Sequence, residues 1–437
     1  MGNEQGFLAR CNEAFEAASK MKEPLIIHHY DCDGITSGSL IASWFEKEKR
    51  PYRMKVVRKL DAEFIATLAS ERELIFSDLG SGTAEVDELK NNVVIIDHHQ
   101  PKSKSHVQVN PHLFGFDGGT EISAAGCAYF TFHISSDLGI TGAVGDIQSP
   151  LISLNRKMLQ EAEARGEVKA STDLLLFGRN SRPLSQFLLY ADEPYLPGLT
   201  GQADNCSKFL SSLGIEAKEG EKWRTYSDLL PSEKKKFISA LSDLLCTHYS
   251  SEAASRLVGE VFTLVNRPDG TEQRDAAEFS TLLNACGRND RAELGVSVCL
   301  NKPGAYEDAR ILLLEHRKNL KAGIEFASRN TQDLGKFLLI DARGVISDSI
   351  IGVVAGMVFA GSREKPILAL SLEESGKIKL STRGTKKLVE AGLNLSKILS
   401  ECCEAVGGVG GGHNIAAGAT IPNDKLDDFL KEFAARL

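Results

Sequence analysis

Four short segments gather the residue types that bind divalent cations. His28-His29-Tyr30-Asp31-Cys32-Asp33-Gly34 follows the apolar run Leu25-Ile26-Ile27, and Asp78 follows Glu73–Phe76 and Ser77. Asp97-His98-His99 follows Val93–Ile96, and Asp146 lies in Ile140–Ile147. Side chains two apart in an extended strand share a face, so His29, Asp31 and Asp33 are expected on one side. His28, Tyr30 and Cys32 would then face away. One imidazole and two carboxylates make half of a metal site, but an Asp-x-Asp-Gly cap on a helix starting near Thr36 explains the same string. Asp78 has a helix cap as its plain alternative, and Asp146 a turn. Asp97-His98-His99, directly after an apolar strand, is harder to explain structurally. Together these segments hold five carboxylates and three imidazoles besides His28, more than one ion needs. Two ions about 3.5–4 Å apart, sharing a carboxylate, would use them all. Mixed imidazole and carboxylate ligation favours Mn²⁺, with Mg²⁺ the second choice. Without cations, such a cluster would repel itself and drift toward protonation.

The elements that must position these groups can be read from apolar periodicity. Strands are expected at Leu25–Ile27, Tyr52–Val57, Glu73–Phe76 and Val93–Ile96, with a further strand tip at Ile140–Ile147. Helices are expected at Phe7–Lys20, Ile35–Lys47, Ala62–Ser70, Thr83–Lys90 and Ser123–Phe132. Strands that alternate with helices and end in acids or histidines predict an α/β fold, a doubly wound parallel sheet with its ligands at the carboxyl ends. Asn155–Leu189 reads as mainly helical and Pro194–Gly198 as a linker. The charged stretch around 200–250 reads as a helical insert, with Glu233–Lys236 a solvated helix face. Phe279–Arg288 ends the larger half, and Asn301–Gly304 is the expected boundary. Beyond it the pattern gives a helix (Ala309–Ala327), a strand (Lys336–Ile340) and a helix (Ser349–Phe359). A hairpin (Pro366–Ser371 with Lys377–Ser381) and a helix (Leu395–Ala405) follow. Gly407–Gly412, before His413, is either a tether or bare backbone that a substrate can approach. A short strand and the helix Asp424–Leu437 close this smaller α/β domain. The expected domains are 1–195, a helical insert at 196–255, the end of the core at 256–305, and 306–437.

Composition is that of an ordinary globular protein, with 42% hydrophobic and 25% charged residues in 437. The longest apolar run, Ile350–Ala360, is too short and glycine-broken to span a bilayer, so no membrane association is expected. The start carries no basic segment followed by an apolar core, and no signal peptide is expected. Nine cysteines without a Cys-x-x-Cys pair point to a reducing cytoplasm rather than a disulfide framework or zinc knuckle. The net charge of −8 weighs little against a nucleic-acid partner, because bound cations would offset the acidic cluster. His106, His112, His133, His248 and His316 belong to no pattern and are read as structural.

His29-x-Asp31-x-Asp33-Gly34, Asp78, Asp97-His98-His99 and Gly145-Asp146 resemble the ordered motifs of the DHH phosphoesterase superfamily. Leu283–Arg288 is similar to the Leu-Asn-Ala-Ala-Gly-Arg segment of RecJ-type single-strand exonucleases. Ser381-Thr382-Arg383 and Gly411-Gly412-His413–Gly418 resemble substrate-binding motifs of the accompanying DHHA1 domain. The opening motif is most like that of archaeal RecJ-like nucleases, which include one associated with the GINS complex of the replicative helicase. The resemblance implies one cation on His29, Asp31 and Asp78, and a second on Asp33, Asp78, His98 and Asp146. It implies that Asp97 orients the histidines, that His99 faces the phosphate, and that Arg383 and His413 engage phosphate in catalysis. Asn284, Arg288, Ser381, Gly411 and Gly412 are its substrate-binding candidates. Bacterial RecJ has Asp where this chain has His29, and an OB-type domain for which there is no room here. The implied activity is Mn²⁺-dependent exonucleolytic release of mononucleotides from single-stranded DNA or RNA, in replication, repair or RNA processing. The alternatives are a phosphodiesterase of short oligonucleotides or cyclic dinucleotides, and a non-catalytic helicase scaffold. Relatives of the first alternative usually space the first histidine farther from the Asp-x-Asp pair. For the second, every ligand position here is filled.

Overall fold

The computed structural model describes residues 2–191, 194–249, 254–359 and 364–437. The end of the expected insert at 250–253 and Ala360, at the end of the Ile350 run, lie outside the described residues, as do Met1 and residues 192–193. Contacts divide the chain into two compact units, Met1–Arg310 and Ile311–Leu437.

In the first unit α1 (Glu4–Ser19) precedes β1 (Leu25–His29), α2 (Cys32–Lys47), β2 (Arg53–Val57), α3 (Ala62–Thr67), β3 (Glu73–Ser77), β4 (Asn92–Ile96) and β5 (Val107–Val109). The strands form one parallel sheet in the order β2-β1-β3-β4-β5. Strand alternation sends Leu25, Ile27, Leu74, Phe76, Val93 and Ile95 into a core with Ile65, Leu68 and Val86. Ile26, Ile75, Val94 and Ile96 are equally buried on the other face, under α1, α2 and α4 (Ala124–Phe132). Apolar residues on both faces are what a sheet covered on both sides requires. The doubly wound α/β expectation is therefore met. Thr83–Lys90 is not a helix but a short 3₁₀ segment, Ala84–Glu88. Only Val86 of it is buried, too little apolar surface to hold more turns.

Two expectations at the site are corrected. β1 stops at His29 and α2 starts at Cys32, so Asp31 and Asp33 do not share a strand face with His29. Asp31 is the N-cap of α2, its carboxylate accepting from Gly34 N at 3.1 Å, and Asp33 lies in the first turn. Residues 140–147 are not a strand tip either. They end α5 (Ser136–Gly145), with Asp146 as the C-cap. This segment is apolar all round and carries Gly139, Gly142 and Gly145, which let α5 press against α2 and α4. A Cβ on Gly142 would lie 2.4 Å from Ala125 Cβ and 2.6 Å from Asp33 Oδ1.

Asn155–Leu189 breaks into α6 (Ser153–Ala164), β6 (Val168–Leu174) and α7 (Leu184–Leu189). The insert continues with α8 (Ala203–Ser212), a small hairpin of β7 (Lys218–Glu219) and β8 (Lys222–Trp223), and α9 (Pro231–His248). It has its own core, including Leu184, Phe187, Tyr226, Phe237, Leu241 and Leu245. Glu233–Lys236 is only half solvated: Glu233 pairs with Arg224, and Lys234 Nζ reaches Asp173 Oδ2 at 2.9 Å. The chain returns as β9 (Val258–Leu264), antiparallel to β6 with Leu174 opposite Val258. α10 (Ala276–Arg288) follows, capped by Asp275, which also pairs with the buried Arg179. Glu278 of α10 accepts from Asn180 N at 3.0 Å. α11 (Ala292–Cys299) and α12 (Ala305–Asn330) come next, and the division between the units falls within α12.

The second unit holds β10 (Gln332–Asp333), β11 (Leu338–Asp341), α13 (Ile351–Phe359), β12 (Ile367–Leu372), β13 (Ile378–Arg383), α14 (Lys386–Glu390) and α15 (Leu395–Val406). β14 (Val409–Gly412), β15 (Ala416–Ile421) and α16 (Leu426–Arg436) complete it. Its mixed sheet runs β10-β11-β12-β13-β15-β14. One face packs Leu368, Leu370, Ile378 and Leu380 against α15 and α16. The other packs Ile340, Ile367 and Ala369 against α13. The glycine run is not a tether: Val409–Gly412 is an edge strand paired with β15. Among the described residues no helix is long and apolar enough to cross a membrane.

The packing of α5 yields a prediction. Gly142→Ala should lower the unfolding free energy by about 2 kcal/mol, the usual cost of overfilling a close-packed contact. Denaturant unfolding checks it, and an unchanged midpoint would show that α5 can retreat.

Candidate metal centre

Three strand ends and two helix ends meet at the carboxyl edge of the parallel sheet. β1 supplies His29, the end of β3 Asp78, and the end of β4 Asp97, His98 and His99. The start of α2 brings Asp31 and Asp33, and the end of α5 brings Asp146. Ligand-type atoms of His29, Asp31 and Asp78 lie within 4.8 Å of one another, as do those of Asp33, His98 and Asp146. A further overlapping group joins Asp78, Asp97, His98 and His99.

Asp78 stands between the first two groups. Its Oδ2 is 3.3 Å from His29 Nδ1, and its Oδ1 is 3.2 Å from His98 Nε2. Asp78 holds φ at +61°, a left-handed conformation costing an aspartate about 1 kcal/mol. His29 Nδ1 is also 3.0 Å from Asp31 Oδ2. Even so, His29 Nδ1 and Asp78 Oδ1 are buried without a hydrogen bond of proper geometry. Ligand atoms that converge without hydrogen-bonding one another suit shared coordination of a cation. Capping and ligation are compatible at Asp31, since Oδ1 caps α2 and Oδ2 faces His29.

Each carboxylate is managed differently. Asp33 receives Ala124 N at 2.7 Å and Ala125 N at 3.0 Å from the start of α4, where the helix dipole favours negative charge. Burial and the neighbouring Asp78 and Asp146 charges still push its pKa well above the ordinary value. Asp146 is raised as well, by burial first. Burial works against charge on Asp78, but the His29 and His98 imidazoles facing its two oxygens outweigh it and hold its pKa low. The counterpart is that His29 is pushed up to about 11, burial being outweighed by Asp31 and Asp78. His98 is likewise raised well above its usual value, with Asp78 outweighing burial. Protons on imidazoles thus balance the carboxylates in the metal-free state, a task a cation would take over.

Asp97 is fully buried. Its Oδ1 accepts from His98 N at 2.8 Å, His99 N at 3.2 Å and His99 Nδ1 at 2.8 Å, and its Oδ2 from Ser81 N at 2.9 Å. Burial opposes its charge, yet the bond from His99 keeps its pKa below the carboxylate norm. The hydrogen bond to Asp97 raises His99. The His99 side chain remains 55% exposed, so Nε2 is left for a ligand in solvent. His28 turns away: its Nδ1 bonds His29 O at 2.8 Å, its ring packs on Gly38, and burial lowers its pKa. Cys32 is also buried, its thiol directed at Thr141 O.

Among the substrate-binding candidates, Asn284 accepts from Cys32 N at 3.0 Å and so braces the turn that carries Asp31 and Asp33. That contact was not legible, because the two residues lie 252 apart. Nearby, a Cβ on Gly287 would fall 1.8 Å from Tyr30 O, so only glycine lets α10 come this close. Arg288 is partly buried, and burial lowers its pKa against the pull of Tyr30 and Asp31. In the second unit Ser381 is buried in β13. Arg383 lies beside Gly352 and donates to Thr382 O at 2.8 Å. Burial lowers its pKa, and among the described residues it has no ion pair. Gly411 and Gly412 sit in β14, and a Cβ on Gly411 would meet nothing within 4 Å. His413 is exposed and, with Lys397, Gly412 and Asn414, lines a groove of about 690 Å³.

Known proteins place this arrangement. The DHH family N-terminal domain matches residues 24–147, the DHH-CID domain residues 176–258, and the DHHA1 domain residues 335–437. An uncharacterised protein of Methanocaldococcus jannaschii is 32% identical over 93% of this chain and 91% of its own length. RecJ of Thermus thermophilus in complex with Mn²⁺ superposes with a TM-score of 0.60 at 16% identity, over 99% of this chain. The chain spans 55% of the length of that RecJ. CDC45 of Entamoeba histolytica gives a TM-score of 0.58 at 14% identity, over 98% of both chains. At such identities the two structures speak for the fold. With its DHH, DHH-CID and DHHA1 segments in order on a RecJ-like fold, the chain belongs to the DHH/DHHA1 phosphoesterase superfamily.

Proposed function

We propose that this protein is a two-metal phosphodiesterase that digests single-stranded DNA or RNA from an end to mononucleotides, using Mn²⁺. The observation that carries this reading is Asp78, whose two carboxylate oxygens face two separate ligand groups at 3.2 and 3.3 Å. His29, Asp31 and Asp78 would hold one cation, and Asp33, Asp78, His98 and Asp146 the other. The two imidazoles among these ligands, His29 and His98, favour Mn²⁺ over Mg²⁺. When bound, the cation pair supplies a hydroxide nucleophile at neutral pH and offsets charge on the phosphate.

The rest is work for the chain's own groups. Asp97 fixes the His99 ring through Nδ1, so that Nε2 can donate to a phosphate oxygen. Asn284 keeps Asp31 and Asp33 in place by holding Cys32 N, and Arg288 adds positive charge beside Tyr30. In the C-terminal unit, Arg383 suits bidentate grip of a phosphate, because no carboxylate among the described residues competes for it. Ser381, His413 and the bare backbone at Gly411 and Gly412 would hold the strand. The insert, with a core of its own, is the module we assign to a partner such as GINS or another replicative-helicase component, in cytoplasmic DNA replication, repair or RNA processing.

End-labelled single strands of DNA and RNA, incubated with purified protein and Mn²⁺, test the reading. Progressive release of mononucleotides is expected, and Asp78→Ala should reduce it at least about 10³-fold without loss of fold. Cleavage confined to dinucleotides or cyclic dinucleotides would replace it with the small-substrate reading. No cleavage of any of these would leave the scaffold reading.

Metal binding should also be linked to protons. His29, with its pKa near 11, and His98 both carry protons at pH 7 before metal arrives. A cation takes their nitrogens only as those protons leave, so Mn²⁺ affinity should rise with pH, about tenfold per unit for each proton released. Calorimetry in two buffers of different ionisation enthalpy reads the release directly. Binding without proton release would show that the imidazoles are not the groups that balance the carboxylates before metal binds.

A further inference from the structure

Gln148 lies just past Asp146, 3% exposed, and the ligand set described above does not use it. Its Nε2 has two hydrogens and two acceptors: Asp146 Oδ2 at 2.8 Å and Gly118 O at 2.8 Å. Gly118 O also accepts from His98 Nδ1 at 2.7 Å. The amide cannot be turned round. Its oxygen would then face a carboxylate and a carbonyl, and it would lose the donor behind it, Asn155 Nδ2 at 2.6 Å from Gln148 Oε1.

One side chain therefore governs two ligands of the same group. It fixes the Asp146 carboxylate directly. With His98 Nδ1, it fills both lone pairs of Gly118 O, which keeps the proton on Nδ1. His98 Nε2 is then directed at Asp78 Oδ1, 3.2 Å away, and Asp33 Oδ2, 3.8 Å away. We infer that Gln148, locked by Asn155, is a positioning residue for the cation site of Asp33, His98 and Asp146, and not for the site of His29 and Asp31. The inference rests on the two-metal reading. It goes further in giving His98 and Asp146 a support that the other site does not share, whereas Asn284 braces the turn that carries one ligand of each site, Asp31 and Asp33.

Titration of the metal-free protein with MnCl₂ by calorimetry, with EPR of the Mn²⁺ pair, tests this. Wild type should take two equivalents and show an exchange-coupled spectrum. Gln148→Met keeps the bulk and removes the amide. One equivalent should weaken about 10–100-fold, as for lost outer-shell partners elsewhere, while the other keeps its affinity. The coupled signal should fade at stoichiometric metal. Asn155→Asp offers Gln148 an acceptor and draws Nε2 away from Asp146 and Gly118. It lies fully buried in the first turn of α6, where the helix N-terminus offsets part of the cost of a buried carboxylate, and circular dichroism checks that the fold holds. The same selective loss is expected. Two equivalents bound with wild-type affinity, or both weakened alike, would overturn the inference; if Gln148→Met does not fold, Asn155→Asp decides by the same criterion. Failure of wild type to bind two equivalents would overturn the two-metal reading itself, and the inference with it.

Discussion

Asp33, Asp78 and Asp97 have lost nearly all contact with water, and Asp31 and Asp146 stand beside them. Like charges at such distances, in a medium less polar than water, repel by several kcal/mol unless something answers them. Asp33 is answered by the backbone at the start of α4, and Asp97 by four N–H groups, three of them from its own chain neighbours and the His99 ring. Asp78 is answered through its side chain by imidazoles. Of the three it is the one whose side chain is not held by backbone N–H groups, and the one whose backbone is in a left-handed conformation.

That distribution depends on close approach of small residues. Gly142 brings α5 onto Asp33, and Gly287 brings α10 onto Tyr30. Ser37 and Ser77 join hydroxyls at 2.8 Å, tying α2 to the strand end beside Asp78. The ligands are carried on strand and helix ends, and the rigidity comes from the elements crossing behind them. Such an arrangement resists rotation of the ligands better than a site on free loops would.

Much of this was legible because strand cores and their polar ends contrast sharply. Ile26-Ile27 into His29, and Ile95-Ile96 into Asp97-His98-His99, announce both the sheet and the edge where its acids and histidines gather. Alternation also separates His29 from His28 correctly, since both still belong to β1. It fails one residue later, because Asp31 ends the strand by capping a helix, an event that periodicity of two cannot express. Asp146 does reach the acidic cluster but from another element than expected, since Ile140–Val144 is as apolar as a buried strand and only its glycines mark it as a tightly packed helix. β6 escaped because Lys169, Ser171 and Thr172 dilute its apolar pattern, and its partner β9 lies some ninety residues away. The braces Asn284 and Gln148 are visible only when distant segments meet.

The pairing of β6 with β9 has a consequence of its own. Leu174 and Val258 are neighbours in the ladder, so the segment between them leaves and re-enters the fold at one place, with Arg179 and Asn180 its further ties to α10. A segment whose ends already touch imposes no span on its contents, and its closure entropy grows only slowly with length. The stem thus acts as a socket. Residues between its arms, beyond the Arg179–Ser181 ties to α10, can be lengthened, shortened or exchanged during evolution, while the strand ends that carry the acidic cluster keep their spacing.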